Sequence, residues 1–192
     1  RFLPPRPGSR WLFVIIGVWI IGATIWSGHT AFTQNTALGL AYTALALWLM
    51  VYDIARKTIR TPGITRFVAV CLLSGYLWLL LGGLLSTSLL QLGAFQRDAS
   101  IHAIALGFIF AMVIGHAPII FPAVMRVAIP FSMIFYAPLA LIQIGVTLRL
   151  LAAIQSQAPL REAGGIVNAL AILSFFLCLL TQVIRGFKQR QR

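Results

Sequence analysis

Acid is what this chain has least of. Its 192 residues hold three carboxylates, Asp53, Asp98 and Glu162, against fifteen lysines and arginines. Only 9% of the residues are charged and the mean hydropathy is +0.94. A soluble domain carries roughly a quarter charged residues, so this composition belongs in lipid. So few carboxylates exclude a buried acidic pair for proton or metal chemistry. Cysteine is nearly as scarce. Cys71 and Cys178 each lie in an apolar run, where a thiol is usually a small buried hydrophobe. Neither belongs to a CxxC or Cys/His cluster, so no disulfide or zinc site is predicted. The chain also has no glycine-rich phosphate loop, no Ser/His/Asp set and no paired-histidine copper motif.

A net charge of +12 would suggest nucleic acid in a soluble protein. Here the cations sit in short stretches between apolar runs, as the positive-inside rule demands. Anionic headgroups of a lipid bilayer are therefore the expected acidic partner, not nucleic acid. Residues 1–10, basic and proline-rich, read as an irregular cytoplasmic arm. The apolar run after them is long for a signal peptide and has no clear small-x-small site, so it reads as a retained helix.

The runs predict an all-α bundle of six transmembrane helices. The spans are about 11–27, 36–54, 67–91, 99–122, 129–154 and 165–184, with both termini inside the bacterial inner membrane. In the third, Gly75, Gly82, Gly83 and Ser86 would let another helix or a flat cofactor approach closely. Asp98 is placed to N-cap the fourth, and Pro118 and Pro122 to kink or end it. The stretch QSQAPLREAGG reads as a polar outer loop. No internal repeat is evident, and most tryptophans read as belt or lipid-facing residues.

Ionisable groups at membrane depth are a functional hypothesis by default. His102 and His116 stand in one helix with thirteen residues between them. Fourteen α-helical steps bring the second ring within about 40° of the first and about 21 Å along the axis. Two imidazoles so far apart cannot share a metal, but they could serve two groups, one near each membrane face. His29, at the end of the first span, is placed on the same side as His102 and is a candidate partner for it. Neutral imidazole is a natural axial ligand for haem iron. For His102 the competing reading is a hydrogen bond to a carbonyl. For His116 it is a bond to a carbonyl freed by Pro118, that of Ile114 first. A haem on His116 would be five-coordinate, or completed by Met112, Met125 or a partner subunit. An open sixth position would suit a diatomic gas. Arg149 needs a carboxylate, from Asp98 or a haem propionate, unless it snorkels to the headgroups.

The segment HAIALGFIFAMVIGHAPIIFPAV, His102 to Val124, resembles the histidine-bearing helices of NnrS-type proteins. These are polytopic bacterial membrane proteins containing haem and copper and linked to nitric oxide. The resemblance rests on His-Ala, Gly, Met and Gly-His in one helix of six. It implies haem b and a nitric-oxide-responsive role; the family's chains have about twice this many spans, so its copper is not carried over. The histidine spacing is also similar to that of the cytochrome b subunit of quinol-oxidising complexes, where two helices each carry such a pair. With one such helix here, a self-pairing dimer would be needed to restore two clamps. The expected function is a haem-b-binding redox or gas-responsive membrane protein, with His102, His116, His29 and Arg149 at its sites. The alternative is an accessory subunit of a larger membrane complex, its histidines packing helices or ligating chlorophyll.

Overall fold

A computed structural model describes residues 8–27, 36–125 and 129–190. Most of the described residues are helical, and none of them lies in a strand. The elements are α1 (Ser9–Ser27), α2 (Thr36–Tyr52), a single turn α3 (Ala55–Thr58) and α4 (Ile64–Leu85). Next comes one continuous column: α5 (Gln96–His102), a π-helical stretch (Ala103–Phe110) and α6 (Ala111–Met125). A 3₁₀ turn (Met133–Phe135) leads into α7 (Tyr136–Gln155), and α8 (Ala158–Arg190) follows. Among these, α1, α4, the column, α7 with its 3₁₀ turn, and α8 are each long and apolar enough to cross a membrane. The apolar α2 is shorter, at 17 residues.

Small residues decide how the helices assemble. Next to α2, a side chain on Gly83 would meet the Gly39 carbonyl at 2.8 Å, so the two backbones are in contact. On its other side α4 presents Gly82 and Gly75 to Ile104 and Met112 of the column. The glycine room in α4 is thus filled by neighbouring helices. At the edge, α1 packs on α2 through Phe13 against Trp48, with the Trp48 indole donating to the Ser9 carbonyl at 3.1 Å. Trp48 and Trp78 are buried, contrary to a lipid-facing role, whereas Trp11 and Trp26 are about three-quarters exposed at 73% and 70%. At the opposite end of α4, Phe67 is enclosed by Phe131, Phe135 and Tyr136, the last edge-on at 5.0 Å. Cys71 and Cys178 are buried free thiols, as expected.

Several boundaries depart from the hydropathy reading, each for a local reason. The third span stops at Leu85, not near residue 91. There the Ser86 hydroxyl bonds the Gly82 carbonyl and the Thr87 hydroxyl bonds the Leu84 carbonyl, which satisfies groups a helix would have used. The stretch that follows is held by Gln96. Its amide accepts from the Leu92 N–H and donates to the carbonyls of Leu85 and Leu90. Asp98 therefore lies inside the first turn, and the position before the helix is Phe95 without a side-chain cap. Pro118 and Pro122 sit within α6, which runs on to Met125. The expected outer loop shrinks to Ser156–Gln157, because Ser156 turns left-handed (φ 54°) and Pro159 suits the first turn of α8. At 33 residues α8 is about 50 Å long, more than a hydrocarbon core requires.

Candidate functional site

The column between residues 96 and 125 carries Asp98, His102 and His116, and its winding decides where they point. Ala99, Ala103, Gly107, Ala111 and Gly115 recur every fourth residue, and all five are buried. Arg97, Ile101, Ala105, Ile109 and Val113 recur at the same interval, and all five are exposed. An α-helix advances about 400° in four residues, so such stripes would drift some 160° over this length. They do not drift, because the π-helical stretch winds more slowly. The small stripe therefore stays against α4. A side chain on Gly107 would meet Trp78 Cβ at 2.6 Å, and one on Gly115 would meet Cys71 Cβ at 2.8 Å.

This winding corrects the angular relation of the two histidines. His102 lies on the flank of Asp98, Leu106 and Phe110; Asp98 reaches α7 and Phe110 meets Phe175 of α8 edge-on at 5.6 Å. His116 lies one turn beyond Met112, on the flank of Ile104 and Phe108. That flank packs on Gly82, Tyr76 and Gly75 of α4. The rings thus belong to opposite sides of the small stripe, not to one face. At Gly115, next to His116 in the chain, Cys71 fills the space. Met112 directs its terminal methyl at Gly75.

Each imidazole makes the same local bond. His102 Nδ1 lies 2.8 Å from the Asp98 carbonyl, and His116 Nδ1 lies 2.8 Å from the Met112 carbonyl. The expected Ile114 carbonyl is not the acceptor. A carbonyl only accepts, so Nδ1 carries the hydrogen in both rings. Nε2 of each ring takes no part in that bond.

Around His102 a polar cluster joins three elements. Arg149 of α7 donates to the Asp98 carboxylate at 2.7 Å, and the other Asp98 oxygen lies 3.5 Å from His102 Nδ1. The Arg149 side chain is 13% exposed and that of Asp98 23%, so the pair is largely removed from solvent. The expected pairing of Arg149 with Asp98 is present. The guanidinium lies over α8 at Gly164 and Gly165, where side chains would meet Arg149 Cγ and Nη2, each at 3.0 Å. One turn further along the crossing, the Asn168 side chain packs against Gly145, its Cγ 2.6 Å from where a Gly145 side chain would begin. Sequence reasoning missed Asn168. Its signal was an amide within an apolar run, opposite a glycine.

A second polar bridge crosses the core. Gln143 of α7 accepts from the Trp78 indole and donates to the Ser74 hydroxyl at 3.2 Å, tying α7 to α4. His29 lies outside the described residues. Among the described residues, no three of His, Cys, Asp and Glu cluster in a way that could hold a metal.

A family model described as a domain of unknown function, DUF8744, matches residues 1–184. The chain belongs to the DUF8744 family. No curated protein and no solved structure matches it.

Proposed function

We propose that the chain is a haem-b-binding inner-membrane protein, crossing six times with both termini inside, with a redox or nitric-oxide-responsive role. One observation carries this reading: in both rings Nδ1 donates to a backbone carbonyl, which orients the imidazole and leaves Nε2 as the metal-binding nitrogen. The likeness of His102–Val124 to NnrS-type helices supports the same reading. His102 and His116 would each hold the iron of a separate group, since they leave the column on different flanks. His29 is the proposed partner of His102. Bound haem would supply one-electron chemistry or a place for a diatomic gas. Arg149 would serve the outer group by holding Asp98 beside His102, with any propionate contact competing against that pair. The cationic residues at the helix ends, Arg56, Lys57, Arg60 and Arg185 among them, would face anionic headgroups.

The test is an absorption spectrum of the purified protein. A Soret band that falls in stages in His102→Ala and His116→Ala is the expected result. A well-folded preparation with no chromophore overturns the proposal. An accessory, non-catalytic role in a larger membrane complex or homodimer is the second reading. It is favoured by the same hydrogen bonds, which satisfy each imidazole as a packing residue, and by the close helix contacts at the α4 glycines. That reading predicts co-purifying partners and histidine variants that still assemble. Chlorophyll on the same Nε2 atoms would give its own red absorption.

A further inference from the structure

The crossing of α7 and α8 holds polar atoms that neither the ion pair nor any helix bond uses. Arg149 Nε, Asn168 Nδ2 and Asn168 Oδ1 are all buried and have no hydrogen-bond partner among the described residues. Asn168 as a whole is 3% exposed. The two residues occupy one antiparallel crossing, with Arg149 against Gly164 and Asn168 against Gly145. A buried amide left unpaired has lost its hydration without compensation, so leucine would serve better here if packing were the only task. Buried groups of this kind are normally joined through ordered water with two to four polar partners.

We infer that Arg149 and Asn168 together bind one ordered water between α7 and α8, and that Asn168 thereby positions Arg149. The water accepts the Arg149 Nε hydrogen and pairs with the Asn168 amide, which offers both a donor and an acceptor. Its route is from the Asp98 end, where the ion pair is partly open to solvent. With Nε held, the guanidinium is fixed so that Nη1 addresses Asp98, and Asp98 in turn carries His102 on its carbonyl. The missing side chains at Gly145 and Gly164 are what allow these two polar groups between closely packed backbones. The inference stands whether or not His102 binds iron.

The experiment is nuclear magnetic resonance on the isotope-labelled full chain in detergent, reading the Arg149 Nε–H signal. Expected is a cross-peak to a long-lived water and slow solvent exchange. Asn168→Leu should remove the cross-peak, speed exchange by about tenfold, the worth of one hydrogen bond, and lower the melting temperature. Asn168→Ser, which keeps a hydroxyl and makes room for a second water, should restore slow exchange. An Arg149 Nε–H without a water cross-peak in the parent protein overturns the inference. So does an Asn168→Leu variant that melts higher with exchange unchanged, as relief of a merely stranded amide would give. If Asn168→Leu does not fold, the parent spectrum and the Asn168→Ser exchange rate decide the matter.

Discussion

Replacing Gly107 by alanine tests the account of the column most sharply. The new methyl would sit 2.6 Å from Trp78 Cβ, an atom fixed to the α4 backbone. Carbon atoms pack at about 3.5–4.0 Å, so α4 and the column must part by roughly 1 Å. Overpacking of this kind costs about 1–3 kcal/mol. Movement of Trp78 also strains its indole bond to Gln143, worth about 1 kcal/mol. Against this stands the better helix propensity of alanine, about 1 kcal/mol. The expected net loss is about 1–3 kcal/mol, or a fall in Tm of about 2–4 °C per kcal/mol for a chain of this size. Thermal unfolding in detergent, followed by tryptophan fluorescence, measures it. Gly22→Ala is the internal control. No atom of the described residues lies within 4 Å of that site, so only the propensity gain applies and Tm should hold or rise. A Gly107→Ala protein as stable as the Gly22→Ala protein would refute the claim that the small stripe sets the packing.

Arg149→Met should strand the Asp98 carboxylate. A fully buried pair broken in this way costs about 3–5 kcal/mol, and partial exposure here reduces the expected loss to about 2 kcal/mol. The double variant Asp98→Leu with Arg149→Met should recover most of it in the same melting assay, whereas additive losses would argue against a coupled pair. Gln96→Ala removes the three bonds that hold the stretch after α4. Limited proteolysis should then cut between residues 86 and 95 faster than in the parent, with the helices intact by circular dichroism.

Helices were easier to read from this sequence than their ends or their phase. Long apolar runs with cations between them are legible because lipid tolerates little else. The end of α4 was not, because Leu89, Leu90 and Leu92 keep the run apolar while the hydroxyls of Ser86 and Thr87 end the helix through local bonds. The beginning of α8 was hidden by its polar residues, which read as loop although Pro159 opens a helix. The pairing of Arg149 with Asp98 was legible as a need for charge compensation between two residues 51 apart. Asn168 was not, because an amide in an apolar run gains meaning only once the glycine opposite it is known.

The histidine pair shows why a spacing argument can fail while the residues remain the right ones to ask about. Fourteen steps at 100° would align the rings, but the calculation assumes that nothing between them prefers another winding. Ala99, Ala103, Gly107, Ala111 and Gly115 impose such a preference: a four-residue repeat can face one neighbour only if the helix unwinds toward four or more residues per turn. Close contact along α4 requires the unwinding, and the π-helical stretch supplies it at the place where Trp78 lies on Gly107. The cost is carried by the histidines' relation to each other, since rotation within 103–110 turns His116 away from the flank of His102. Whatever the two imidazoles hold, they therefore hold it with different neighbours: His102 beside Asp98 and Arg149 toward α7 and α8, His116 beside Met112 toward α4. Any single flat group spanning both rings is incompatible with that geometry, and two independent sites or two packing roles are what it allows.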